Sequence, residues 1–212
     1  MKKFTLVLLV CLITVVSLNL SSCGNGGETT PPANNNGGET TPPTSGESLL
    51  IPVDNARDAG DWELPIVANP GDFGIQDKVK LSELLANPDV KAVVIDFWAT
   101  WCEPCKEEMP YLEKIYQEYK DKGLAMLVIT VDSSPQLENE IKKDVEELGV
   151  TYPIPWAMES VVKLFYGIGA IPVTYLIDKN GKIRLEHSGF SLPEGEEFIE
   201  DLRKAVEELI SQ

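Results

Sequence analysis

Two cysteines separated by two residues, Cys102 and Cys105 in Trp101-Cys102-Glu103-Pro104-Cys105-Lys106, are the strongest chemical signal in this chain. Two thiols at this spacing at a helix start can close into a disulfide and reopen. The helix N-terminus offers free N–H groups and a dipole that favour a thiolate on Cys102. Cys102 would then attack a disulfide to form a mixed disulfide, and Cys105, one turn further in and less exposed, would resolve it by attacking Cys102. Pro104 limits the turn between the thiols and removes one N–H. Glu103 sets a negative charge beside the thiolate, which disfavours it and makes the couple more reducing than a neutral spacer would.

The elements that must position this pair are legible on both sides of it. Ala92–Trp98 is a short apolar run rich in β-branched and aromatic residues with one acid, Asp96, inside it, and it reads as a buried strand of a mostly parallel sheet. From Glu103 to about Asp121 a helix carries Leu112, Ile115, Tyr116 and Tyr119 on one face, with Pro110 expected to kink it. Leu124–Val131 is a second continuous apolar strand, and Pro135 opens a helix whose Leu137, Ile141, Val145 and Leu148 face inward.

Further along, a short helix around Ser160–Tyr166 precedes Val173–Ile177. That run pairs with Ile183–His187 across Asp178-Lys179-Asn180-Gly181, since Asn-Gly between such runs is a strong hairpin signal. A last helix from about Pro193 buries Phe198, Leu202, Ala205 and Leu209, with Ser191 and Glu194 at capping-box spacing. Before the first strand, Leu49–Val53 and Leu64–Ala68 read as edge strands, and Val79–Leu85 as a strand end running into a short helix. A β-α-β unit followed by an antiparallel hairpin gives three layers.

The 212 residues allow one ordinary domain with extensions. The net charge of −16 excludes nucleic acid as a partner, because nothing could neutralise a row of phosphates. Lys2 and Lys3 followed by apolar Phe4–Leu18 form a targeting segment, and Leu20-Ser21-Ser22-Cys23 resembles the lipobox of bacterial lipoproteins. Residues 1–22 are thus read as a lipoprotein signal peptide, with Cys23 the lipidated first residue of the mature chain. The apolar run falls short of the roughly 20 residues that span a bilayer, which disfavours an uncleaved anchor. Losing the two lysines takes the net charge from −16 to −18. Cys11 leaves with the leader and Cys23 is consumed as a thioether, so one thiol pair remains.

Residues 23–46 contain Asn25-Gly26-Gly27-Glu28-Thr29-Thr30-Pro31-Pro32, which recurs from Asn36 to Pro43. With almost nothing apolar to bury, this repeat is expected to be a flexible linker reaching roughly 25 Å on average and about 75 Å at full stretch. Residues 47–212 form the folded domain, its start falling between Glu47 and Trp62.

Three motifs together resemble the thioredoxin superfamily, and within it the membrane-tethered TlpA/ResA type of thiol-disulfide oxidoreductase. They are Asp96-Phe97-Trp98-Ala99-Thr100-Trp101-Cys102, then Cys102-Glu103-Pro104-Cys105 followed by Glu108 and Pro110, then Tyr166-Gly167 through Ile171-Pro172-Val173-Thr174. The resemblance runs from about Val79 to the C-terminus. It implies an α/β, three-layer thioredoxin-like fold, with a central mixed sheet, helices on both faces and an N-terminal strand extension. It implies no cofactor beyond the redox-active Cys102–Cys105 disulfide.

The resemblance also assigns roles. Asp96 matches the buried acid beneath a thioredoxin dithiol, and Glu108 an acid of the ResA-like branch; carrying both departs from either pattern, so which one takes the proton of Cys105 stays open. Ile171-Pro172 matches the family's cis-proline, the backbone of Ile171 pairing with an extended substrate. Trp101 would shield Cys102, Glu103 and Pro104 would border the substrate, and Trp98 would be core. His187, the lone histidine, is read as structural or exposed.

Implied partners are protein dithiols and disulfides, apocytochrome c among them, a membrane thiol carrier as electron donor, and the membrane itself through lipid on Cys23. The chain is read as a monomer on the extracytoplasmic side of a membrane, periplasmic or cell-surface.

Three other readings compete. A zinc site needs more ligands than one Cys-x-x-Cys and has no metal partner here. A peroxiredoxin-like peroxidase would want a Thr three residues before its reactive cysteine, where this chain has Ala99. A lipid-anchored binding module would carry the disulfide without using it.

Overall fold

The computed structural model describes residues 48–157, 162 and 166–212. The expected signal peptide, Cys23 and the whole of the linker lie outside the described residues. So does most of the expected helix around Ser160–Tyr166, although Val162 and Tyr166 are described and buried.

The seven residues of β3 (Ala92–Trp98) are all buried, as a strand covered on both faces must be. Alternation along the pleat sends Ala92, Val94 and Trp98 into one core cluster and Val93, Ile95 and Phe97 into another. β3 pairs in parallel with β4 (Leu124–Thr130) and antiparallel with β6 (Val173–Asp178), which pairs antiparallel with β7 (Ile183–Ser188). The order is β4-β3-β6-β7. Only one of these pairings is parallel, so the sheet is mixed, and the mostly parallel sheet read from the apolar run of β3 is corrected. A run buried on both faces looks the same in either orientation.

Helix α2 (Glu103–Tyr119), α3 (Glu138–Leu148) and α4 (Glu194–Ile210) supply buried side chains to the first cluster, including Met109, Leu112, Ile141, Val145, Phe198 and Leu202. Leu81 and Leu84 of α1 (Leu81–Ala86) join the second. The three-layer expectation stands. Helix α2 continues through Pro110 as one element, leaving the Lys106 carbonyl without its helical N–H partner.

A second sheet was not foreseen. β1 (Glu63–Ala68) lies between β2 (Lys78–Lys80) and β5 (Ile154–Pro155), both antiparallel to it. Leu64–Ala68 is therefore in a central strand, not an edge. Leu49–Val53 forms no strand: Ile51 N–H donates to Arg184 O at 2.6 Å, Arg184 Nε donates back to Ile51 O at 2.7 Å, and a 3-10 turn follows at Val53–Asn55.

The β6–β7 hairpin forms as expected, but only Gly181 in its turn takes positive φ, 76°. A type I′ turn needs two such residues; here a right-handed turn followed by a left-handed glycine makes the connection. Asp178 Oδ1 accepts from Asn180 N–H at 2.9 Å and Lys182 N–H at 3.1 Å, holding it closed. At α4 the expected capping box is absent. Pro193 is the N-cap, Ser191 lies two residues before it, and its Oγ meets the Glu194 carboxylate at 3.5 Å instead of a backbone N–H.

Candidate active site

The end of β3 and the start of α2 meet at a turn that carries Cys102. Cys102 N–H donates to Ala99 O at 2.9 Å, and Cys102 is the N-cap of α2, its Sγ accepting from Cys105 N–H at 3.3 Å. A sulfur that already receives a helical N–H is placed to hold negative charge. Glu103 and Pro104 occupy the first two helical positions and are exposed. Cys102 and Cys105 form a disulfide. Cys102 is 4% exposed and Cys105 0%, so any approach from solvent meets Cys102 first.

Asp132, just past the end of β4, clamps the turn before Cys102. One of its carboxylate oxygens accepts from Thr100 N–H at 3.0 Å and from Thr130 Oγ1 at 2.7 Å, and the other from Thr100 Oγ1 at 2.9 Å. Asp132 is buried. Sequence reasoning missed it, because nothing local links it to a turn 32 residues upstream.

Beneath the dithiol, strand register places Asp96 opposite Thr174 on the α2 face of the sheet. Glu108 reaches the same place from α2, three residues after Cys105. Thr174 Oγ1 lies 3.1 Å from Asp96 Oδ1 and 3.1 Å from Glu108 Oε1. All three residues are buried, and Asp96 Oδ2 and Glu108 Oε2 have no hydrogen-bond partner among the described residues. Burial, and then the neighbouring Glu108, holds Asp96 well above the usual carboxylate range. Burial pushes Glu108 up to about 8, against the opposing effect of the Thr174 hydrogen bond. The pair therefore retains at least one proton at neutral pH, and its titration belongs to both acids together. The two acids expected from sequence are brought together; the threonine between them was quoted in a motif but given no role.

Opposite the dithiol, the Ile171–Pro172 peptide is cis, as the resemblance implied, and Leu192–Pro193 is a second cis bond that was not anticipated. Pro172 O accepts from Gly189 N–H at 2.8 Å. Ile171 lines an apolar pocket with Trp101, Val131, Val162, Ile168 and Ala170. Trp101 is 68% exposed and lines this pocket, immediately before Cys102, which is itself 4% exposed. Trp98 is core, as expected, with its Nε1 buried and without a hydrogen-bond partner among the described residues.

His187 is half-buried, its ring stacked on Phe198 at 3.7 Å and 8°, and burial lowers its pKa. Its role is packing. No group of three or more metal-ligating side chains gathers among the described residues.

Residues 56–186 match the AhpC/TSA family. The chain is 35% identical over 145 residues to the thiol-disulfide oxidoreductase ResA of Oceanobacillus iheyensis, covering 68% of this chain and 70% of that protein. It is 38% identical over 113 residues to the protein of the same name from Geobacillus thermodenitrificans, covering 53% of this chain and 63% of that one. In fold alone it is similar to the crystal structure of a thiol:disulfide interchange protein of the thioredoxin family from Chlorobium tepidum. That match has a TM-score of 0.56 and 21% identity, and covers 73% of this chain and 97% of the other. On the family match over residues 56–186 and the ResA relative aligned over two thirds of both chains, the chain belongs to the AhpC/TSA family as a thioredoxin-like thiol-disulfide oxidoreductase of the ResA type.

Proposed function

We propose that this chain is an extracytoplasmic reductant of protein disulfides, held to a membrane by lipid on Cys23. The observation that carries the reading is the position of the Cys102–Cys105 disulfide at the N-terminus of α2, above two buried acids. In the reduced protein the Cys102 thiolate attacks a client disulfide, forming a Cys102–client bond and expelling the client's other sulfur as a thiolate. Cys105 then loses its proton to the acid pair below and attacks Cys102. That step closes the Cys102–Cys105 disulfide and releases the second client thiol, so the client gains two electrons and the protein loses two.

The direction follows from charge. Compared with a neutral spacer and an uncharged floor, Glu103 beside Cys102 and an acid pair beneath Cys105 that carries negative charge once ionised offset part of the thiolate stabilisation that the helix N-terminus supplies. A couple whose reduced form is less stabilised is a better reductant. The client enters as an extended segment along Ile171-Pro172, with a side chain in the apolar pocket beside Trp101. Electrons return from a membrane thiol carrier, and apocytochrome c, whose paired thiols need reduction before haem attachment, is the proposed client class.

Cys102→Ser is expected to abolish dithiothreitol-driven insulin reduction. Cys105→Ser is expected to accumulate a mixed disulfide with the client in native membranes, where mass spectrometry identifies it. Full activity in Cys102→Ser would instead make the chain a binding module with an idle disulfide.

A further inference from the structure

The Thr174 hydroxyl carries one hydrogen, yet its Oγ1 is at hydrogen-bond distance from two carboxyl oxygens, 3.1 Å from Asp96 Oδ1 and 3.1 Å from Glu108 Oε1. It can donate to only one of them. The other contact is a hydrogen bond only if that carboxyl is neutral and donates its own proton to Oγ1. With both acids ionised, one oxygen–oxygen contact would have no hydrogen in it, in a site that all three side chains share away from solvent. Among the described residues the one buried cation, Arg184, is held by Asp178 at 3.1 Å, so no cation relieves the pair.

We propose that Thr174 is a positioning residue that joins Asp96 and Glu108 into a single proton-holding unit, through which one proton passes between the two carboxyls without leaving the core. In the transfer the Asp96 Oδ1–H bond breaks as a bond from that hydrogen to Thr174 Oγ1 forms. At the same time the Thr174 O–H bond breaks as its hydrogen bonds to Glu108 Oε1. Asp96 becomes the carboxylate, Glu108 the acid, and the threonine is again a neutral hydroxyl; the reverse transfer is identical in kind. No heavy atom has to change partner.

Three elements fix this geometry independently. Asp96 and Thr174 are register partners on β3 and β6, and Glu108 arrives from α2. The other titratable groups around the unit are Cys102 and Cys105 on α2, Tyr152, and His187. The Tyr152 hydroxyl is engaged with Met109 O at 3.2 Å; His187 is the β7 partner of Thr174, and its ring stacks on Phe198. The choice between Asp96 and Glu108 as acceptor for Cys105 thereby disappears. Whichever acid receives the proton shares it with the other, and the unit takes up one proton per resolution step.

The proposal rests on the dithiol mechanism above for its rate readout but not for its titration. In the full chain, a thionitrobenzoate adduct on Cys102 reports Cys105 attack by release of the coloured thiol. Thr174→Val, which keeps the shape and removes the hydroxyl, is expected to slow that release about tenfold or more and to displace its pH profile, given the usual 10²–10⁴-fold scale of general acid–base catalysis. Thr174→Ser is expected to restore both rate and profile. An unchanged rate and profile in Thr174→Val, or the same loss in Thr174→Ser, overturns the proposal.

Carboxyl ¹³C NMR on the unmutated protein decides the matter even if Thr174→Val does not fold. One proton held in common at pH 7 is expected, with both carboxyl signals averaged between their neutral and ionised positions and titrating in coupled transitions; two fully ionised or two fully neutral carboxyls, or a proton fixed on one acid alone, overturn it. If the unmutated protein releases no thionitrobenzoate, the dithiol mechanism fails, while the NMR titration still judges the proton unit.

Discussion

Asp96 and Thr174 face each other across the β3–β6 ladder, and the threonine hydroxyl sits 3.1 Å from the aspartate in a site closed to solvent. One strand of that ladder ends at the dithiol and the other begins at the cis-proline, so the two walls of the site share a ladder. Glu108 then closes the arrangement from the helix that Cys102 caps.

Stability should carry the signature of these acids. The Glu108 carboxyl is raised from 4.5 to about 8 in the folded chain, so the native state binds more protons than the unfolded state between those values. Its contribution is fully present at acid pH and is lost as pH rises from about 4.5 through 8, with a total on the order of a few kcal/mol. Thermal unfolding followed by circular dichroism should show Glu108→Gln gaining stability relative to the parent as pH rises from 5 to 8.5. A difference that is flat with pH would contradict the assignment.

Removing the Asp132 clamp should loosen the turn that presents Cys102. In Asp132→Ala, the Thr100 N–H and the Thr100 and Thr130 hydroxyls lose their acceptor. Such a loss costs about 1–3 kcal/mol for each buried group left unpaired. Urea denaturation should give a lower midpoint, and hydrogen exchange should accelerate at Thr100. Asp132→Asn, which keeps one acceptor oxygen, should fall between the two.

Gly123 caps the 3-10 turn Lys120–Lys122 that follows α2, with φ of 108°, and a Cβ there would stand 2.8 Å from Asp89 O. Gly123→Ala therefore combines a disfavoured backbone with a clash against main chain. A loss of about 1–3 kcal/mol is expected in urea denaturation, with the dithiol chemistry unchanged.

The membrane attachment is testable apart from the chemistry. Cells expressing the full chain should incorporate labelled palmitate into it, and Cys23→Ala should abolish the label and release the protein from the membrane fraction while leaving purified activity intact. Label retained in Cys23→Ala would contradict the lipid assignment.

Much of the site could be read from the sequence because it is local. The seven-residue apolar run, the Cys-x-x-Cys and the helical stripe of Leu112, Ile115 and Tyr116 are contiguous, and the structure places them as read. What was missed depends on contacts distant in sequence. β5 is two residues, one of them a proline, and gives no periodic signal; its pairing with β1 spans nearly ninety residues, as in Ile66 with Pro155. The clamp of Asp132 on Thr100 and the bridge of Thr174 require strand register, which spacing alone does not supply. The capping box failed for a local reason, since Pro193 took the N-cap and left Ser191 out of reach.

The central claim is that Cys102 is the reactive sulfur and Cys105 its protected partner. Alkylation of the reduced full chain with iodoacetamide across pH 5–9, with each site quantified by peptide mass spectrometry, tests it most directly. The account predicts that Cys102 is modified faster than a small thiol at the same pH and that Cys105 stays unmodified until Cys102 is blocked or the chain unfolds. Equal rates at both cysteines, or a Cys102 no faster than the free thiol, would contradict it.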